Sequence, residues 1–243
     1  MGLRFEAVSG VPDAQIAANK AYSRSLGYPE ILPGQVGAAA PRLAVVGGGP
    51  SIAGQLDQIR DFDGEVWGVN GTWQYLKDHG INSTFYTIDP VCRVAGRPSK
   101  AILGDFVCKD LLDDLRGADI EIVPFGDGLN QHVTTSAGSV PFFAMWRGHK
   151  HITLFGCDSS FGESTHAYEL EAHHNYIWVE CGGNEYLTSP QMLMQAIEIA
   201  KVINTFPHYI NVECGGILQA MIDSNGDHEV THVCSEIYKQ VAS

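Results

Sequence analysis

The sequence is short of positive charge. Of its 243 residues, 15 are Lys or Arg against 28 Asp or Glu, for a formal net charge of −13. That balance excludes a protein that coats duplex DNA or an anionic lipid surface, because both tasks need a basic face. It leaves room for a local pocket that holds a nucleotide. Long apolar runs are also missing. The longest stretch free of Asp, Glu, Lys and Arg, residues 128–146, is too polar to span a bilayer. The start of the chain lacks the apolar core of a signal peptide, since Arg4, Glu6 and Asp13 interrupt it. Paired cysteines are absent. The six thiols stand at 92, 108, 157, 181, 214 and 234, and none forms a CxxC pair, which excludes a zinc knuckle and a thioredoxin motif. Scattered thiols suit a reducing compartment, so a cytoplasmic protein is expected. Hydrophobic residues make up 44% and charged residues 18%, a globular composition with enough chain for one sizeable core.

Residues 1–40 read as a lead-in, with a helix over 14–26 followed by a Gly/Pro/Ala-rich connector. From Arg42 the pattern changes, and residues 41–243 read as one domain. Apolar runs at 43–46, 65–69, 84–88, 120–123, 152–155 and 209–212 predict strands. Segments 52–60, 72–79, 136–146, 190–204 and 230–241 predict helices. Strands alternating with helices at this spacing predict an α/β fold: a Rossmann-like, doubly wound, mostly parallel sheet with helices on both faces. Ligands of such sheets sit beyond the carboxyl ends of the strands, so the residues just after each strand carry the information.

Three segments stand out there. Gly47-Gly48-Gly49-Pro50-Ser51 has the shape of a phosphate cradle at a helix start. It is not a full dinucleotide fingerprint, because Ile52 occupies the third glycine position, and Asn70 ends the next strand where an NAD site would place an acid. Ser136-Ala137-Gly138, after Thr134-Thr135, can hold a phosphate or simply cap its helix. Gly156-Cys157-Asp158, followed by Ser164-Thr165-His166-Ala167, places an acid at a strand end with a histidine nearby, a pairing suited to general acid/base chemistry. His166, His173 and His174 with Glu163, Glu169 and Glu171 could also bind a metal, but their spacing matches no zinc motif, and a solvated polar lid is the commoner outcome. Cys157 reads as a packing residue rather than a nucleophile.

The order of these segments, continued by Tyr186-Leu187-Thr188-Ser189 and Ile210-Asn211-Val212-Glu213-Cys214-Gly215-Gly216, resembles the MptE-like, Rossmann-type superfamily. Its members include motility-associated Maf glycosyltransferases, archaeal 6-hydroxymethylpterin diphosphokinases and small phage proteins of unknown role. Bacterial CMP-sialic-acid sialyltransferases look like a more distant branch. The resemblance implies that Gly48, Gly49, Pro50 and Ser51 line nucleotide phosphates and that Asn70 and Asp89 face the nucleotide. It implies that Ser136, Ala137 and Gly138 close over a phosphate, and that Asp158 and His166 belong to the catalytic group, with His166 as general base.

The reading this favours is a glycosyltransferase using a CMP-activated, sialic-acid-like sugar and a hydroxyl acceptor, with no cofactor required. The alternatives are a pterin-type diphosphokinase, which would use ATP and Mg²⁺ held by Asp89 and Asp158, and a nucleotide-binding protein without catalysis. A nucleotide or nucleotide-sugar is thus the expected ligand. No nucleic-acid partner is expected, and a homo-oligomer is.

Overall fold

The computed structural model describes residues 11–35, 41–91, 94–125, 135–162 and 176–234. The chain runs through α1 (Asp13–Ser25), β1 (Leu43–Val46), a 3-10 turn (Pro50–Gly54), α2 (Leu56–Arg60), β2 (Glu65–Val69), α3 (Thr72–Asp78), β3 (Thr84–Thr87), β4 (Lys100–Gly104), α4 (Lys109–Asp114) and β5 (Asp119–Val123). It continues with α5 (Ser136–Arg147), β6 (Ile152–Phe155), β7 (Tyr176–Cys181), β8 (Asn184–Thr188), α6 (Pro190–Thr205), β9 (Ile210–Glu213), α7 (Gly216–Asp223) and β10 (His228–Cys234).

Seven strands form one parallel sheet in the order β5-β4-β3-β2-β1-β6-β9. β1 and β6 are buried at every position, which is why both read as unbroken apolar runs rather than alternating ones. On one face, α5, α6 and α7 close over Leu43, Val45, Trp67, Tyr86 and Leu154. On the other, α2 and α3 cover Ala44, Val46 and Phe155, while α4 covers Phe85, Ala101 and Leu103. The chain steps outward from β1 to β5, then returns to β1's other side with β6. The strand order therefore reverses between β1 and β6, and in such sheets a crevice opens at that point. The expected α/β, Rossmann-like, doubly wound architecture is what the chain adopts.

Several elements differ from expectation. The helix expected over 52–60 is a 3-10 turn followed by one turn of α-helix. Residues 11–35, whose packing the sequence did not specify, lie against the sheet domain: Asn19 Nδ2 donates to the Phe106 carbonyl, Tyr22 bonds Asp113, and Glu30 bridges Ile122 at the sheet edge. The connector hides one apolar anchor, Ile31, buried in the main core. A small antiparallel sheet, β10-β7-β8, was not expected. Its β7–β8 hairpin turns on Gly182 and Gly183 at φ +60° and +77°, the two left-handed residues of a tight hairpin. β10 lies where the sequence suggested the start of a helix; pairing with β7 overrides that local preference. Among the described residues no helix is long and apolar enough to cross a membrane.

Candidate functional site

At the reversal point lies a cavity of about 130 Å³. The end of β1 supplies Gly47, Gly48 and Gly49, and the end of β2 supplies Val69 and Asn70. The end of β6 gives Gly156, Ser159 and Ser160, α5 gives Thr135, Ser136 and Ala137 at its N-terminus, and α6 gives Met192 and Gln195.

The β1 loop differs chemically from a phosphate cradle. The Gly47 amide donates to the Phe155 carbonyl at 2.8 Å and the Gly49 amide to the Gly156 carbonyl at 2.7 Å. Pro50 has no N–H. The Ser51 amide and hydroxyl both donate to the Asp158 carboxylate, at 2.8 and 2.6 Å, and the Gly215 amide donates to it at 3.0 Å. Asp158 is 2% exposed. An internal carboxylate therefore occupies the place in this loop that a phosphate was expected to fill. Gly48 and Gly49 line the cavity, whereas Pro50, Ser51 and Asp158 do not. The glycines here serve the packing of two loops: a Cβ on Gly49 would stand 2.5 Å from Asp158 Oδ2 and 2.7 Å from the Gly156 carbonyl oxygen.

The N-terminus of α5 is better equipped. Thr135 caps it, its Oγ1 accepting from the Gly138 amide at 2.9 Å, and the Ser139 amide begins the helical ladder on the Thr135 carbonyl. That leaves the Ser136 and Ala137 amides as donors with no partner inside the helix, at the positive end of a 12-residue dipole. The Ser136 Oγ accepts from the Ile88 amide at 3.1 Å and keeps its own proton to give. Gly138 lies one step back, where a Cβ would meet Glu198 Oε2 at 2.6 Å. Its glycine suits helix packing and it does not line the cavity.

Asn70, at the end of β2, lines the same cavity as this terminus. It sits at φ +52°, a conformation that Asn tolerates better than most residues. Its Oδ1 is shut off from solvent and has no hydrogen-bond partner among the described residues. Backbone conformation explains the choice of Asn but not an orphaned acceptor, which is costly unless something donates to it. Asp89, expected beside it, turns its Oδ1 to the Val91 amide at 2.9 Å and does not line the cavity.

Ser159, from the strand-end segment that begins at Gly156, and Gln195, which the sequence did not single out, complete the wall. Gln195 Oε1 accepts from Thr135 Oγ1 at 2.9 Å, and its Nε2 donates to Ser159 Oγ, also at 2.9 Å; Ser159 in turn donates to the Cys157 carbonyl. This one-directional chain joins α5, α6 and the end of β6. Ser159, at φ +56°, has its carbonyl held by Thr188 Oγ1 at 2.6 Å. Burial pushes the Cys157 thiol up to about 12 and raises that of Cys214 as well, so both are protonated packing groups. His166, and the histidines and glutamates around it, lie outside the described residues. Among the described residues no group of three or more His, Cys, Asp or Glu could hold a metal ion.

No family model matches the chain, and no curated protein sequence matches it. Among solved structures, a MAf glycosyltransferase from Magnetospirillum magneticum AMB-1 is similar at a TM-score of 0.62 and 15% identity. The match covers 89% of this chain and 38% of that one, so the chain spans well under half of that protein's length. The likeness shows a shared Rossmann-like fold.

Proposed function

We propose that the cavity binds the nucleotide part of an activated sugar and that the protein is a glycosyltransferase-like transferase. The observation that carries this reading is the pairing of an orphaned acceptor, Asn70 Oδ1, with the free donors of α5 in one cavity at the strand-order reversal. A nucleoside monophosphate presents the complementary pattern. A sugar hydroxyl or base amine donates to Asn70, and the phosphate accepts from the Ser136 and Ala137 amides and the Ser136 hydroxyl. As the glycosidic bond to phosphate breaks, negative charge grows on the phosphate, where fixed amides and a helix dipole stabilise it most. His166 is the proposed base that takes the acceptor's proton.

The likeness to a MAf glycosyltransferase agrees with this chemistry. A CMP-linked, sialic-acid-like donor is favoured over ATP by the count of anion subsites. The β1 loop is occupied by Asp158, which leaves one helix terminus, enough for one phosphate. The diphosphokinase alternative is disfavoured by the same geometry. Asp158 has committed both carboxylate oxygens to Ser51 and Gly215, and neither it nor Asp89 lines the cavity, so the residues present do not fit a nucleotide-bound Mg²⁺.

The test is calorimetric titration of CMP, AMP and ATP, each with and without Mg²⁺, into the wild type and Asn70→Gly. Glycine keeps the left-handed backbone and removes only the amide. The expected result is CMP binding independent of Mg²⁺ and weakened about tenfold in the variant, the worth of one hydrogen bond. Binding of ATP alone and only with Mg²⁺, or equal CMP affinity in both proteins, would overturn the reading.

A further inference from the structure

At the opposite, amino-terminal end of the sheet lies a larger groove of about 560 Å³. Strand register builds it. Leu43 pairs with Ile152, and Ile152 with Ile210, so the residues just before them, Arg42, His151 and Tyr209, stand abreast. Leu43, Ile152 and Ile210 face the main core, so by strand alternation Arg42, His151 and Tyr209 face the other side. Thr153 and Asn211, also paired, form the next row on that same side. Pro207 and His208 complete the lining.

The chemistry is one-sided. In a chain of net charge −13, no residue lining this groove is acidic. Glu65, next to Arg42 in the sheet, projects to the opposite face, where it meets Trp67 Nε1 and Arg147. Glu213 is held by Asn211 Nδ2 and stays outside the lining. Arg42 makes no ion pair among the described residues; its guanidinium lies over the Phe62 ring at 5.1 Å, which fixes it in place and leaves its charge uncompensated. Around it stand two imidazoles, a phenol and the Thr153 hydroxyl. Such a set of donors beside one unneutralised cation matches a compact, multiply charged anion, and the volume is that of a small-molecule site.

We propose that this groove is a second binding site, distinct from the cavity at the carboxyl ends of the strands, and that it takes a phosphate monoester or diphosphate. Arg42 supplies the charge, and His151, His208 and Tyr209 supply the surrounding donors. The site does not depend on what the first cavity binds.

The test is a titration of inorganic pyrophosphate into the ¹⁵N-labelled full chain, followed by amide shifts and repeated at high salt. The expected result is saturable shifts confined to Arg42 and its neighbours, residues 151–153 and residues 208–211. Affinity should fall about tenfold in Arg42→Gln, the worth of a charge-assisted hydrogen bond, and fall further with added salt. His208→Gln, at an exposed position where folding is not at stake, should weaken binding while leaving the spectrum otherwise unchanged. Absence of saturable shifts, shifts centred on Gly48, Asn70 and Ala137, or wild-type affinity in both variants would overturn the proposal.

Discussion

Replacing Asp158 by Ala removes three hydrogen bonds at once: two from Ser51 and one from the Gly215 amide. The acceptor is 2% exposed, so water does not freely replace it. Each buried donor left unmade costs about 1–3 kcal/mol, and bonds to a charged acceptor sit toward the upper end. The three share one acceptor and are not additive, so a loss of about 4 kcal/mol is expected, or roughly 8–16 °C in melting temperature for a domain of this size. Asp158→Asn separates the terms. Whichever way the amide is turned, its NH₂ faces a backbone N–H: that of Ser51 in one orientation, that of Gly215 in the other. One donor is then orphaned and about 2 kcal/mol is lost. Urea denaturation monitored by fluorescence and by circular dichroism, read as a change in midpoint at constant slope, gives both numbers. Removing a carboxylate held in place for catalysis commonly leaves stability unchanged or higher. If Asp158→Ala loses less than about 1 kcal/mol, the role of Asp158 as an internal strut is wrong and its catalytic role regains its standing.

Gly49→Ala should cost about 1–3 kcal/mol, because the new methyl meets Asp158 Oδ2 and the Gly156 carbonyl, while Gly54→Ala, with nothing within 4 Å, should be neutral or slightly stabilising in the same melt. Thr135→Ala removes the α5 cap and should cost about 1 kcal/mol, and Thr135→Ser should restore most of it; equal stability of the two variants would count against the cap. His149 is buried, and burial is the main cause lowering its pKa. Arg147 and Lys100 push the same way, and the Pro41 carbonyl and Glu65 oppose. The unfolded chain therefore takes up this proton first as pH falls. Stability from this group is full above its unfolded pKa of about 6.5 and is lost as pH drops through the lower folded value. His149→Gln should flatten that part of the pH–stability profile; an unchanged slope would refute the assignment.

Six of the seven parallel strands were legible because burial leaves apolar runs, and the fold class follows from their alternation with helices; β4, Lys100–Gly104, was missed, its three apolar residues being too short a run between Lys100 and Gly104. α6 was legible from Pro190 and its apolar stripe, and the structure adds the Ser189 cap. The second sheet was hidden. Its one local signal was Gly182-Gly183 between alternating residues, and β10 joins from a distance. Within the site, Gly48, Gly49, Asn70, Ser136 and Ala137 could be read as strand-end or helix-start residues, and they meet in one cavity. Gln195 could not, since a glutamine in a helix is unremarkable until its neighbours are known. The setting of Asp158 could not be read either. Its partners lie 107 residues before it and 57 after, a closure no local pattern encodes.

The seam between β1 and β6 also sets an order of assembly. Strands β1 to β5 join sequential neighbours through short crossovers, but Leu43 must find Ile152 across a separation of nearly half the chain's length. Local contacts close fast and distant ones slowly. The first five strands can thus consolidate while β6 is still unpaired, and the walls of the cavity come from both sides of that seam. Ligand binding is then the last property the polypeptide acquires. Pulse-labelled hydrogen exchange during refolding should protect the amides of β2 to β4 before those of β6, and nucleotide binding should appear only with the later phase.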